Sequence, residues 1–327
     1  MKKKITLVVL LVLLALSLVL TGCGKKAEPV ATAAPAAPAA QAAPAQPAPA
    51  PAPQPAAPKI DKDAVLIAAA KDYFTQVASN NNLISAKDLN QMLEDNPGAT
   101  MIIDIRSDAD FEAGHIEGAF HSTWAGLGDV MEKIPQNRQV VVACYSGQTA
   151  GQAIGALRLA GFSNVKSLAG GMNNGWKAAG LVAEETGARP LASRSNATSP
   201  KTEEDQVKWD AAKAYFKSVA KDGNKLIPSQ DLYDALQTNP KAFNVIDIRG
   251  ASDYEAGHIE FSTHTAWTNV GSILETLPKN DRIVVACFSG QTAGQTVGVL
   301  RTLGFDAYSL TGGINNGWKA AELPLVQ

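Results

Sequence analysis

The sequence predicts an α/β fold built twice in tandem, each copy a central, mostly parallel sheet with helices on both faces. Three observations lead there. Long stretches of the chain recur at a fixed displacement. Short apolar runs rich in β-branched residues alternate with segments of helical spacing. In each copy a cysteine follows such a run and opens a Gly-rich segment that leads into a helix. A chain of 327 residues has room for two ordinary domains, at roughly 100–200 residues each.

The repeat is read directly. Ile103-Asp-Ile-Arg106 recurs as Ile246-Asp-Ile-Arg249, and Glu112-Ala-Gly-His-Ile-Glu117 as Glu255-Ala-Gly-His-Ile-Glu260. The same displacement carries Trp124 onto Trp267, Cys144 onto Cys287, and Ser146 to Gln152 onto Ser289 to Gln295. Gly170-Gly171 and Asn173 to Lys177 recur one residue earlier, as Gly312-Gly313 and Asn315 to Lys319. A unit of this length is a duplicated domain rather than a solenoid repeat. The polar stretch Thr186 to Thr202, with Pro190 and Pro200, marks the boundary. The expected organisation is a signal segment 1–22, a spacer 23–59, a first domain 60–183, a linker 184–202 and a second domain 203–327.

Within the first copy, Ala64 to Val77 carries apolar residues at helical spacing, and Ser85 can cap a second helix through Leu89 and Leu93. Met101 to Ile105 and Val140 to Ala143 are too brief for helices and read as strands. Helix-like segments separate them, the alternation that builds a parallel sheet covered on both faces. Ligands bind such sheets beyond the carboxyl ends of the strands, which is where Cys144 and Cys287 fall.

Residues 1–23 have the three parts of an export signal: basic Lys2 to Lys4, an apolar run from Ile5 to Leu20, then Leu20-Thr21-Gly22-Cys23. The apolar run is shorter than the ~20 residues a spanning helix needs. Its last four residues resemble a bacterial lipobox, which implies cleavage before a lipidated Cys23 and a mature chain anchored to a membrane outside the cytoplasm. The Pro- and Ala-rich stretch from Pro29 to Pro58 reads as a polyproline-like spacer. The formal charge of −2 becomes more negative once Lys2 to Lys4 are removed, so a nucleic-acid partner is excluded. Three cysteines make neither a disulfide scaffold nor a zinc site, and no metal is expected.

Each cysteine loop reads as an anion cradle. Glycines let successive N–H groups turn inward, and the helix expected over Gln152 to Leu159, or Gln295 to Leu303, adds its positive end. Such a site stabilises a thiolate, and equally a persulfide anion, which makes Cys144 and Cys287 candidate nucleophiles. The residues expected to hold substrate are Ser146, Gly147, Gln148, Thr149, Ala150 and Gly151, with Ser289, Gly290, Gln291, Thr292, Ala293 and Gly294 in the second copy.

Both copies resemble rhodanese-family sulfurtransferase domains, over roughly Asp61 to Leu181 and Glu203 to Gln327. The resemblance rests on the Asp-Ile-Arg strand ends, the Glu-Ala-Gly-His-Ile segments, the Cys-x-x-Gly loops and the closing Gly-Gly-x-x-x-Gly-Trp. It implies tandem α/β domains and a cysteine that accepts sulfane sulfur and passes it to a thiophilic acceptor such as cyanide or a thiol. No organic cofactor is implied. Asp104 with Arg106, and Asp247 with Arg249, are expected as ion pairs that brace the cysteine loops.

The chain departs from the family pattern at two places. Thr149 and Thr292 stand where many members carry an arginine, and Asp110 and Asp253 where the long thiosulfate enzymes carry a basic residue. A doubly charged thiosulfate gains less from such a site, which favours a persulfide or polysulfide donor. Phosphatase chemistry is excluded, because Ala150 and Ala293 occupy the position of the phosphate-binding arginine. His115 and His258 are expected to be structural, Trp176 and Trp318 to pack the closing helix, and Lys177 and Lys319 to be solvated. His121 and His264 remain open between surface and pocket roles. The alternative to turnover is a sulfane-sulfur binding module that delivers to a protein acceptor.

Overall fold

The computed structural model describes residues 59–187, 189–195 and 198–327. Cys23, the signal segment and the spacer to Pro58 lie outside the described residues. No helix among the described residues is long and apolar enough to cross a membrane.

The first repeat runs α1 (Lys62–Gln76), β1 (Leu83–Ile84), α2 (Ala86–Asp95), β2 (Thr100–Asp104), α3 (Asp108–Glu112), β3 (Phe120–His121), β4 (Gln139–Ala143), α4 (Gln148–Leu159), β5 (Val165–Leu168) and β6 (Arg189–Pro190). The second follows as α5 (Glu203–Asp222), β7 (Leu226–Ile227), α6 (Ser229–Thr238), β8 (Asn244–Asp247), α7 (Ala251–Glu255), β9 (Thr263–His264), α8 (Val270–Ile273), β10 (Arg282–Ala286), α9 (Gln291–Thr302) and β11 (Asp306–Leu310). Side-chain oxygens of Asp61, Ser85, Ser107 and Thr202 accept from backbone N–H groups in the first turns of α1, α2, α3 and α5 and fix where those helices begin.

Two parallel sheets result, ordered β1-β5-β4-β2-β3-β6 and β7-β11-β10-β8-β9. Strand alternation sends Met101, Ile103, Val140 and Val142 to one face of the first sheet, and Ile102, Val141 and Ala143 to the other. Both faces are covered, as the unbroken apolar character of β4 and β10 requires.

The covering helices are exchanged between the repeats. Ala70, Tyr73 and Phe74 of α1, and Val77 just past its end, belong to the core of the second sheet, with Ile246, Val285 and Leu300. Trp209, Tyr215, Phe216 and Val219 of α5 belong to the core of the first, with Ile103, Val142 and Leu157. Gly128 gives room to the Phe216 Cβ, and Gly271 lies against the α1 backbone at Lys71. Domain limits drawn along the chain at 60 and 203 therefore differ from the limits of packing. The stretch 184–202 is also more than a linker: Glu184 and His115 exchange backbone hydrogen bonds, β6 pairs with β3, and Leu191 is buried in the first core.

The two repeats meet along α4 and α9. A Cβ on Gly151 or Gly155 would stand 2.7 Å or 2.5 Å from the carbonyl oxygen of Gln291 or Gln295. Across the pair, a Cβ on Gly294 or Gly298 would stand 2.4 Å or 2.1 Å from that of Gln148 or Gln152. Side chains are thus excluded from the seam, and the backbones approach as closely as small residues allow. At its flanks, the Tyr73 hydroxyl donates to Gln295 Oε1 at 2.7 Å, and Tyr215 to Gln152 Oε1 at 3.4 Å. Burial pushes both phenols well above the ordinary tyrosine range, so they stay protonated donors.

Gly298→Ala is expected to push the helices apart and destabilise the protein by about 2 kcal/mol. Denaturant unfolding measures it, and an unchanged midpoint would show that the seam tolerates a side chain.

Candidate active site: two cysteine loops

Cys144 follows the last residue of β4, and Cys287 the last residue of β10. Three residues further on the chain turns sharply, because Gly147 (φ 86°) and Gly290 (φ 84°) adopt left-handed backbone that other residues resist. The helix begins at the very next residue. It therefore starts four residues earlier than expected from the sequence, at Gln148 and Gln291 rather than Gln152 and Gln295.

This turn aims two backbone donors at each sulfur. Cys144 Sγ accepts from Gly147 N at 3.2 Å and Ala150 N at 3.3 Å; Cys287 Sγ accepts from Gly290 N at 3.1 Å and Ala293 N at 3.4 Å. The thiols are 1% and 2% exposed. Each sits against a helix N-terminus, where the unpaired N–H groups and the helix dipole favour negative charge. The closing Gly-Gly segments lock the loops from behind: Met172 N and Ile314 N each donate to the cysteine carbonyl at 2.7 Å.

Several loop residues expected to touch substrate do other work. The Gly151 and Gly294 N–H groups donate to Gly147 O and Gly290 O inside the helices, so they do not join the cradle. Gln148 is buried and sends its amide into the other repeat, and Gln291 Oε1 accepts from Gly170 N across the seam. Ala150 and Ala293 are fully buried and offer only their backbone N–H. Ser146, Thr149, Ser289 and Thr292 keep partial exposure beside the thiols. The sequence could not separate these roles, because the early helix start places Gln148 to Gly151 and Gln291 to Gly294 in a helical turn, where residues three or four apart share a face, rather than in a loop.

The expected ion pairs form, and their further bonds go to the Glu-Ala-Gly-His segments rather than to the cysteine loops. Arg106 Nε and Nη2 bond the Asp104 carboxylate, at 2.7 Å for the shortest contact, and Nη2 also donates to Gly114 O. Arg249 repeats this with Asp247 and Gly257 O. All four residues are buried. A buried arginine committed to its own carboxylate lends little charge to a substrate anion.

The histidines are structural in the same sense. His115 and His258 stack on Phe111 and Tyr254 and donate through Nδ1 to the carbonyl oxygens of those residues. His121 and His264, left open by the sequence, hold the Arg106 and Arg249 carbonyl oxygens through Nε2, at 3.0 Å and 2.8 Å. Trp176 and Trp318 are buried in the cores and donate to Val182 O and Pro324 O.

The mouths differ. Tyr145, exposed beside Cys144, donates to Asp110 Oδ2 at 2.6 Å, and Ser107 Oγ bonds the same oxygen. Phe288 and Gly250 replace Tyr145 and Ser107 in the second repeat, where the Arg249 guanidinium lies 5.9 Å from the Phe288 ring. The bonds from Ser107 and then Tyr145 hold the Asp110 carboxyl below the ordinary aspartate range.

A family model described as the rhodanese-like domain matches residues 85–179 and again 229–321, together more than half of the chain. The protein belongs to this family and carries two of its domains in tandem. Both matches begin after the exchanged helices α1 and α5. Among solved structures, the chain is similar to a rhodanese-related protein of Thermoplasma volcanium, at 25% identity over 31% of this chain and 97% of that one, with a TM-score of 0.28. It is also similar to a 3-mercaptopyruvate sulfotransferase of Escherichia coli, at 21% identity over 71% and 98%, TM-score 0.34. A thiosulfate sulfurtransferase of Pseudomonas aeruginosa is 20% identical over 80% of this chain and 50% of that one, TM-score 0.31.

Tyr145→Phe, which gives the first mouth the aromatic residue of the second, is expected to move the Asp110 carboxyl up toward the ordinary aspartate range. A carboxyl NMR pH titration reads this, and an unmoved Asp110 would leave Ser107 as its sole anchor.

Proposed function

We propose that the protein is a sulfurtransferase that carries sulfane sulfur on Cys144 and Cys287 as persulfides. The observation that carries this reading is the pair of backbone N–H groups donated to each Sγ at the start of a helix, built the same way in both repeats. Membership of the rhodanese-like family supports it.

The thiolate attacks the outer sulfur of the donor. A new S–S bond forms on the cysteine as the donor's S–S bond breaks, and sulfite or a thiolate leaves with the electron pair. An acceptor nucleophile, cyanide or a thiol in its ionised form, then attacks the outer sulfur, and the cysteine thiolate leaves with its pair. The two steps balance without an external oxidant. Gly147, Ala150, Gly290 and Ala293 N–H groups hold the charge at both stages with no reorganisation between them. Because Arg106 and Arg249 are tied to their own carboxylates and Thr149 and Thr292 carry no charge, persulfide or polysulfide donors suit these loops better than thiosulfate.

Mass spectrometry of residues 59–327 after exposure to polysulfide is expected to show one added sulfur on each thiol, released by cyanide. Cys144→Ser and Cys287→Ser should each retain roughly half of the turnover, and the double variant none. Full activity in either single variant would show that copy to be silent. The low exposure of both thiols favours a second reading, a module that holds sulfur for a protein acceptor; loading without thiocyanate turnover would select it.

The proposal places this chemistry outside the cytoplasm, on a chain held to a bacterial membrane by lipidated Cys23. Its support is the basic, apolar and Leu-Thr-Gly-Cys segments of the sequence. Palmitate labelling should be lost in Cys23→Ala, and persistent labelling would remove the lipobox reading.

A further inference from the structure

Each cysteine loop is closed by a Gly-Gly segment, and each of those segments is held by a glutamine from the other repeat. Gln148, the first residue of α4, is 3% exposed. Its Nε2 donates to Ser309 Oγ at 2.6 Å and Leu310 O at 2.8 Å, and its Oε1 accepts from Gly312 N at 3.3 Å. All three partners belong to the second repeat. They lead directly to its thiol: Ser309 Oγ donates to Gly290 O at the helix cap, and a Cβ on Gly313 would stand 2.4 Å from Cys287 O.

The reverse connection is thinner. Gln291 Oε1 accepts from Gly170 N at 2.9 Å, while its Nε2 turns back to Ser289 Oγ of its own loop at 3.4 Å. Gly170 leads in the same way to Gly171, where a Cβ would stand 2.5 Å from Cys144 O and 2.7 Å from Gly147 N. Gln148 is buried beside the glycine seam, whereas Gln291 is only half-buried. An apolar residue at position 148 would strand the Gly312 donor and the Leu310 acceptor in a buried interface, a loss that packing alone does not repair.

We propose that Gln148 and Gln291 are reciprocal positioning residues: each stands beside one cysteine and fixes the loop around the other, so the two thiol sites are assembled only as a pair. Gln148 is the stronger of the two, because it makes three cross-repeat bonds against one. The consequence for sulfur transfer rests on both loops being working sites, but the test does not.

The test uses the full chain and reads each thiol separately. Iodoacetamide pulses followed by mass spectrometry of the two cysteine peptides give the two alkylation rates, and hydrogen exchange reports on residues 311–314 and 169–172. A thiol this buried reacts only when its loop opens. Gln148→Ala is expected to speed alkylation of Cys287 about fivefold more than that of Cys144, with faster exchange at 311–314. Gln291→Ala should favour Cys144 by a smaller ratio, with faster exchange at 169–172. Equal acceleration of both thiols, or a larger effect of Gln148→Ala on Cys144, would overturn the proposal. If Gln148→Ala unfolds the protein, Ser309→Ala decides: it leaves the seam intact, interrupts the route from Gln148 to Gly290, and should speed Cys287 alone. An unchanged Cys287 in that variant would also overturn it. No sulfur donor enters the measurement, so failure of the sulfur-transfer reading leaves this outcome independent.

Discussion

Close contact between the backbones of α4 and α9 is the constraint on which the rest of this protein depends. Four glycines leave the carbonyl oxygens of one helix within reach of the other helix's α-carbons, at separations that no side chain fits. Dispersion along such a seam is dense because nothing bulky intervenes. The seam also decides where the thiols are: both helices begin beside their cysteines, so joining them back to back sets two anion cradles on one shared element. Each cradle's geometry is then a property of the pair of repeats and not of one sheet.

The charge economy of the sites follows from the same arrangement. In each repeat the strand-end arginine is buried against its aspartate and a loop carbonyl, which fixes the backbone but leaves the sulfur to be served by N–H groups. Two amides and a helix terminus are a mild, permanent positive field. Such a field suits a singly charged sulfur anion more than a compact dianion. Around it the two mouths have diverged, one rimmed by a tyrosine–carboxylate contact and the other by an apolar ring.

The sheets, the strand-end placement of the cysteines, the Asp–Arg ion pairs and the tandem plan could be read from the residues because each rests on local pattern: β-branched runs, recurring motifs and glycine placement. The helix exchange could not. Periodicity from Ala64 to Val77 shows which face of α1 is apolar, but both sheets offer it an equivalent surface, and only three-dimensional packing chooses between them. Gln148 was hidden for a related reason. Within the loop motif it resembles any polar neighbour of a reactive cysteine, and its buried role appears only once the left-handed turn at Gly147 starts the helix early. Strand β6 was masked by composition, since Arg189 and Pro190 carry none of the usual signals of a sheet edge except the proline itself.

The exchanged helices impose an order on biosynthesis. α1 leaves the ribosome before any strand, yet the surface that buries Tyr73 and Phe74 includes β10 and α9, which are among the last parts of the chain to be made. Its apolar stripe waits through the synthesis of nearly the whole protein, and the first sheet in turn lacks its cover until α5 follows. Maturation of each core from its own repeat alone, the usual course for a tandem array, is closed to this topology. The first core is complete once α5 has been made, whereas the second joins α1 to the last strands and so closes late, through contacts between distant residues.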